Sequence, residues 1–345
     1  MPEYLSQIET PTDSHVYRYE PAAKVAIEQM DIFWPAEELG IENDELDFRH
    51  NLTKGESYSV RYLQSILTKY ETFIGGQDLW GNKIPCLFPR TEVARACSVI
   101  SMVENHSHAP FYMLADKLMN TATDEFYSQW REDPILAPQI AYLEELTKSD
   151  NPLVVTAVLC FLEGAKLFSI LGYFKCFNTQ GFNLISHFVS GIDGSAKDEN
   201  FHSMFSAYLH NQCKYERTEL GNHTAEQEKE LKQIIGDVAI NIDAHESAVI
   251  DHIFDYSDSL PEEQRIRVTT REELHHFKRD RINVVLGYLN QEQMFNEPRG
   301  NISQVFYQNL SSYKYSDFFA NTQLQYKRNY SISKIGFNKG ALENV

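Results

Sequence analysis

The run from Pro152 to Phe177, PLVVTAVLCFLEGAKLFSILGYFKCF, is the longest apolar stretch in the chain and carries Glu163 near its middle. Glu163, Lys166 and Lys175 interrupt it, so it reads as the buried central helix of a soluble protein and not as a membrane span. A carboxylate buried there without a partner is very costly, so it must be neutralised, hydrogen-bonded or bound to a cation. Whatever packs around this helix has to answer that demand.

The flanking pattern is helical. Val60, Leu63, Ile66, Leu67 and Tyr70 recur at three-to-four spacing from Tyr58 to a stop at Gly75 and Gly76. Thr91 is placed to cap a helix that runs to about Met119, with Glu92 in its first turn. Further helices are expected over 135–147, 152–177, 225–257 and 270–290. Another begins near Phe182, breaks at Gly191–Gly194 and resumes through Asp198–Lys214. Residues 1–30 read as an extended, weakly patterned arm. The last 20 residues or so are polar, basic and glycine-containing, and read as a mobile tail. No window alternates as a strand does. The expected class is all-α, a single domain over 1–320 with an N-terminal arm, and a flexible tail over 321–345.

Charge and cysteine usage narrow the function. Lys and Arg number 31 against 49 Asp and Glu, a net charge of −18 that repels phosphate backbones and argues against a nucleic-acid partner. Five scattered cysteines form no CxxC pair, and the N-terminus has no basic start followed by an apolar run. The expected location is cytoplasmic, with no membrane partner.

Three more elements carry acids and imidazoles on shared helical faces. Glu199 and His202 are three apart and lead into the apolar row Phe201, Phe205, Leu209. Glu104 and His108 are four apart, with Tyr112 one turn further along the same stripe. Glu71 ends the amphipathic helix before Gly75. Two similar pairs, Glu272/His275 and Glu273/His276, sit in the charged TTREELHHFKRD and read as a solvated face. Glu71, Glu104/His108, Glu163 and Glu199/His202 therefore give one Glu from each of two helices and a Glu/His pair from each of two others. That is the ligand set of dinuclear carboxylate bundles. Hard carboxylates with two imidazoles suit iron or manganese, and the absence of Cys ligands argues against a thiolate zinc site.

With these residues in place, the sequence resembles the small, radical-generating subunit of class I ribonucleotide reductase from Trp34 to Tyr326. The matching features are Asp198-Glu199-Asn200-Phe201-His202, the step from His108 to Tyr112, Glu163 in LEGAKLF, Phe33-Trp34 with Pro35, and Phe318-Phe319 followed by Tyr326. The resemblance implies a ferritin-like bundle with a dinuclear metal site in its core, iron first and a manganese-containing pair second. It implies Tyr112 as the radical-bearing tyrosine, with Leu167 and Leu171 as candidates for its apolar wall. Asp198 would link His108 to Trp34, and Tyr326 would be the C-terminal relay. It further implies a homodimer that works with a large subunit docked through the tail. Two features depart from the family pattern. Glu71 stands where most members have Asp, as in some members with manganese-containing cofactors. The spacing from Glu104 to His108 is one residue too long, which a π-type turn near Pro110 would absorb.

Other classes share parts of this pattern. A ferritin-like dimetal oxygenase acting on a small molecule or lipid would use the same ligands without the tail. An iron-storage protein would need neither Trp34 nor Tyr326, and a purely structural bundle would leave Glu163 without a partner.

Overall fold

The computed structural model describes residues 5–74, 78–179, 181–296 and 299–312, with side chains to residue 308. Among them there is no strand. The main helices are α1 (Glu20–Asp31) and α2 (Lys54–Ile74), then α3, built from Thr91–Val103, a π-turn Glu104–His108 and Ala109–Leu118. Next come α4 (Leu136–Thr147) and α5, built from Pro152–Phe161, a π-turn Leu162–Lys166 and Phe168–Lys175. The last four are α6 (Ser186–Glu219), α7 (Ala225–Asp258), α8 (Arg271–Tyr288) and α9 (Asn301–Ser312). The all-α class expected from the sequence is what the chain adopts.

α5 is the axis of the bundle. The segment Pro152–Asn178 is long and apolar enough to cross a membrane, yet its most apolar window, with mean hydropathy 1.9, is entirely buried in protein. α6 packs along it, α7 and α8 cover it from the other side, and α2 pairs with α3 and α7. The two lysines of α5 are buried because each has an acid. Lys166 pairs with Glu246 of α7 under the Tyr70 ring, and Lys175 pairs with Asp193 of α6.

Four sequence expectations are corrected. Residues 20–31 are helical, not extended: Ala22, Ala23, Val25 and Ala26 pack against α3 through side chains too small to give a strong periodic signal. α6 is continuous through Gly191–Gly194. A Cβ at Gly191 would collide with the Phe111 ring, so this glycine permits close helix packing instead of breaking the helix. α6 also starts later than Phe182, after Ile185, whose φ of +43° turns the chain while its N–H donates to Asp47 Oδ2 at 2.8 Å. Such a conformation costs a β-branched residue about 1–3 kcal/mol. Thr91, finally, is the first helical residue and not the cap; its hydroxyl donates to the Ser14 carbonyl. α7 does carry a full capping box, Thr224 with Gln227.

Candidate metal centre

Four helices point polar side chains at one place in the core. Glu71 comes from the last turn of α2, Glu104 and His108 from the π-turn of α3, Glu163 from the π-turn of α5, and Glu199 and His202 from α6. All six are at most 3% exposed. The extra residue between Glu104 and His108 is absorbed as expected: Ala109 N–H bonds the Glu104 carbonyl, five residues back. The wider turn lets both side chains face inward despite their longer spacing.

His108 Nδ1 lies 2.9 Å from Glu104, 3.1 Å from Glu199 and 3.4 Å from Glu71. His202 Nδ1 lies 2.8 Å from Glu104, 3.4 Å from Glu199 and 3.8 Å from Glu163. The donor atoms form two overlapping groups, Glu71/Glu104/His108/Glu199 and Glu104/Glu163/Glu199/His202, each within 4.8 Å. Glu104 and Glu199 belong to both, as carboxylates between two adjacent ions would.

Protein contacts leave this cluster short of partners. Glu71 Oε1, Glu104 Oε1, Glu163 Oε2, Glu199 Oε2 and His202 Nδ1 are buried without a hydrogen bond, although His202 Nδ1 and Glu104 Oε1 lie 2.8 Å apart. Orphaned atoms of this kind, converging from four helices, fit a dinuclear metal site. Burial, then the neighbouring acids, pushes Glu71 and Glu163 well above the carboxylate range. Burial would do the same to Glu104 and Glu199, but the histidines outweigh it and hold both low. The histidines move up against the effect of burial because the carboxylates surround them, His202 to about 9.

Both imidazoles are oriented from outside. Asp198 Oδ2 lies 3.1 Å from His108 Nε2 and accepts the Trp34 indole N–H at 2.8 Å; the Trp34 and His108 rings stack with centroids 5.5 Å apart. Gln29 donates to Asp198 Oδ1 at 2.9 Å and sets its Oε1 3.2 Å from His202 Nε2. Trp80 donates to Glu163 Oε1. Tyr112 is fully buried, its hydroxyl 2.9 Å from Ser195 Oγ, which in turn donates to Glu199 at 3.4 Å. Burial, then Glu71, keeps that phenol protonated well beyond its usual range. Leu167 and Leu171 are both buried. Sequence reasoning missed Gln29, Trp80 and Ser195. Only Ser195 left a signal, a polar residue one turn before Glu199. The charged pairs at 272–276 lie on the outer side of α8, where His275 meets Asp251 and Glu273 meets Asn301. Tyr326, Phe318-Phe319 and the boundary at 320 fall outside the described residues.

The family profile of the ribonucleotide reductase small chain matches residues 14–301. The chain belongs to that family. It is thus the small subunit of a ribonucleotide reductase, an oxidoreductase component that acts with a large subunit. Solved structures agree on the fold. The dimanganese(II) NrdF of Streptococcus sanguinis superposes with a TM-score of 0.71 at 17% identity, covering 86% of this chain and 99% of that one. The R2 subunit from Clostridium botulinum gives 0.70 at 18% identity, covering 85% and 89%. The Rnr4 homodimer of Saccharomyces cerevisiae gives 0.64 at 16% identity, covering 90% and 93%. No curated protein matches the sequence.

Proposed function

We propose that Glu71, Glu104, His108, Glu163, Glu199 and His202 hold two divalent metal ions, and that Tyr112 stores the oxidising equivalent this small chain delivers to its large subunit. The observation that carries the reading is the set of orphaned carboxylate and imidazole atoms converging from four helices. Iron is the first candidate; a manganese-containing pair is the second, since oxygen and imidazole donors suit both. Once bound, the pair supplies the oxidising power, drawn from dioxygen, that a phenol needs before it gives up an electron and a proton.

The protein's part is positional. With each Nδ1 facing an ion, Nε2–H of His108 donates to Asp198 and Nε2–H of His202 donates to Gln29, which fixes both tautomers and both ring planes. Trp34, bonded to the same Asp198, lies on the outward electron route. Ser195 would relay the hydroxyl proton of Tyr112, taking it along one hydrogen bond while handing its own proton to the Glu199 carboxylate along another, so oxidation would leave a neutral ring and a neutral serine. Tyr326 continues the route, and the tail over 321–345 docks on the large subunit. The chain works in the cytoplasm and pairs as a homodimer, the assembly in which the yeast Rnr4 was solved.

Metal content and association test this jointly. Purified chain should bind two Mn(II) or Fe(II) ions, and Glu163→Ala should lose one or both while remaining folded. Truncation after Arg328 should keep both ions and abolish association with the large subunit. Full metal loading in Glu163→Ala would refute the ligand set, and binding by the truncated chain would refute the docking role.

A further inference from the structure

Arg281 of α8 is completely buried, although it lies in the charged segment FKRDRI. Its acceptors among the described residues include no carboxylate. Nε and Nη2 both donate to the Gly164 carbonyl, at 2.9 and 2.7 Å. Nη2 also donates to Asn200 Oδ1 at 3.2 Å, and Nη1 reaches the Tyr307 hydroxyl at 3.4 Å. The guanidinium lies over the Phe168 ring, 3.8 Å from its centroid. Burying a cation without an opposite charge is expensive, and the two strongest bonds end on one backbone atom.

That placement is informative. Gly164 follows Glu163 in the π-turn of α5, and Asn200 follows Glu199 on α6. One rigid fork therefore ties together the two chain segments that carry Glu163 and Glu199. Gly164 is pressed close on the same side: a Cβ there would collide with Ser203 Oγ of α6 and Val285 of α8. Asn200 is held a second time by the Tyr288 hydroxyl at 3.2 Å. We infer that Arg281 is a positioning residue for the metal centre: it sets the separation of Glu163 and Glu199, and so shapes the ion pocket these two share with Glu104 and His202. The other pocket depends less on Arg281, because it shares only Glu199 with the segments that Arg281 ties, while Glu71, Glu104 and His108 come from α2 and α3. A lysine could not replace it, since an ammonium is a point donor without the planar fork.

The inference rests on the two-ion reading above, and one titration separates the two claims. Metal-free full-length chain is titrated with Mn(II), the free ion being read from its six-line electron paramagnetic resonance spectrum and the thermal midpoint recorded for each variant. Wild type should bind two ions and show spin-coupled features. Arg281→Met should weaken one ion by about 10- to 100-fold and the other far less, with loss of the coupled features at two equivalents. Arg281→Lys should fall between the two, and Asn200→Ala should shift the same ion by a smaller factor. Arg217→Met is the control for stability alone. Arg217 is nearly buried and bonded to Glu9, and its loss should lower the thermal midpoint with both affinities intact. Folded Arg281→Met that binds both ions like wild type, or loses both equally, would overturn the positioning role. If that variant does not fold, Arg281→Lys and Asn200→Ala decide on the same criterion. Fewer than two ions on wild type would instead refute the two-ion site.

Discussion

The six side chains of the centre reach electrical balance in two ways. Without metal, Glu71 and Glu163 are driven to hold protons, while Glu104 and Glu199 face charged His108 and His202; two negative charges meet two positive ones. With two divalent ions, four carboxylates and two neutral imidazoles balance again. Binding should therefore exchange up to four protons for two cations near pH 7, and apparent affinity should fall as pH falls. Calorimetry in buffers of different ionisation enthalpy reads this number directly; a release near two at pH 7 would show the acids already ionised, and one near zero would show the histidines neutral as well. Release should shrink as pH rises past about 9, where His202 no longer holds its proton. At this scale the sequence was readable where it broke a burial rule. Glu163 inside an apolar run is conspicuous, and so is a Glu/His stripe leading into Phe205 and Leu209. Gln29 and Trp80 break no rule, because a neutral side chain is ordinary in any helix or loop, and Ser195 is marked only by its place one turn before Glu199. Arg281 was hidden in a charged run that reads as a solvated face, although Lys278 in that run is buried as well.

At the level of helices, one ligand pair, Glu104/His108, and the lone ligand Glu163 sit in π-turns. Glu104–His108 widens α3, and Leu162–Lys166 widens α5 at Glu163. The first was foreseeable from a one-residue excess in spacing; the second carries no such excess and left no trace in the sequence. Deleting the exposed His106 should restore a three-residue step from Glu104 to the ligating histidine and let α3 run as a regular helix. Metal stoichiometry should stay at two and the thermal midpoint should hold or rise, because the downstream helix keeps its phase. Loss of both ions in that deletion would show that the wide turn is required. The long elements α2, α4, α7 and α8 were readable from periodicity within a few residues. α1 was not, since its buried face is mostly alanine, and the break assigned at Gly191–Gly194 fell to packing, because Phe111 needs the missing Cβ.

For the whole molecule, the core that protects the centre also sets its tolerance of acid. His210 on α6 is fully buried, its Nδ1 3.0 Å from the Leu153 carbonyl, and burial lowers it to about 3. The folded chain holds His210 neutral while the unfolded chain binds a proton below about 6.5, so stability is lost as pH falls beneath that value. The slope is about 1.4 kcal/mol per pH unit for this group, or about 2 kcal/mol by pH 5. Urea unfolding of His210→Asn should show a shallower acid slope than wild type by that amount; identical slopes would mean the ring is protonated in the folded chain. The bundle itself was legible, because one apolar helix with a buried acid leaves few alternatives to a ring of helices bearing acids and imidazoles. Spectroscopy of Tyr112 tests the central claim most directly. Chain loaded anaerobically with Fe(II) and exposed to air should give a tyrosyl doublet that narrows with ring-deuterated tyrosine and is absent from Tyr112→Phe, whose metal content is unchanged. A doublet that persists in Tyr112→Phe, or no tyrosyl signal in fully loaded wild type, would contradict the account.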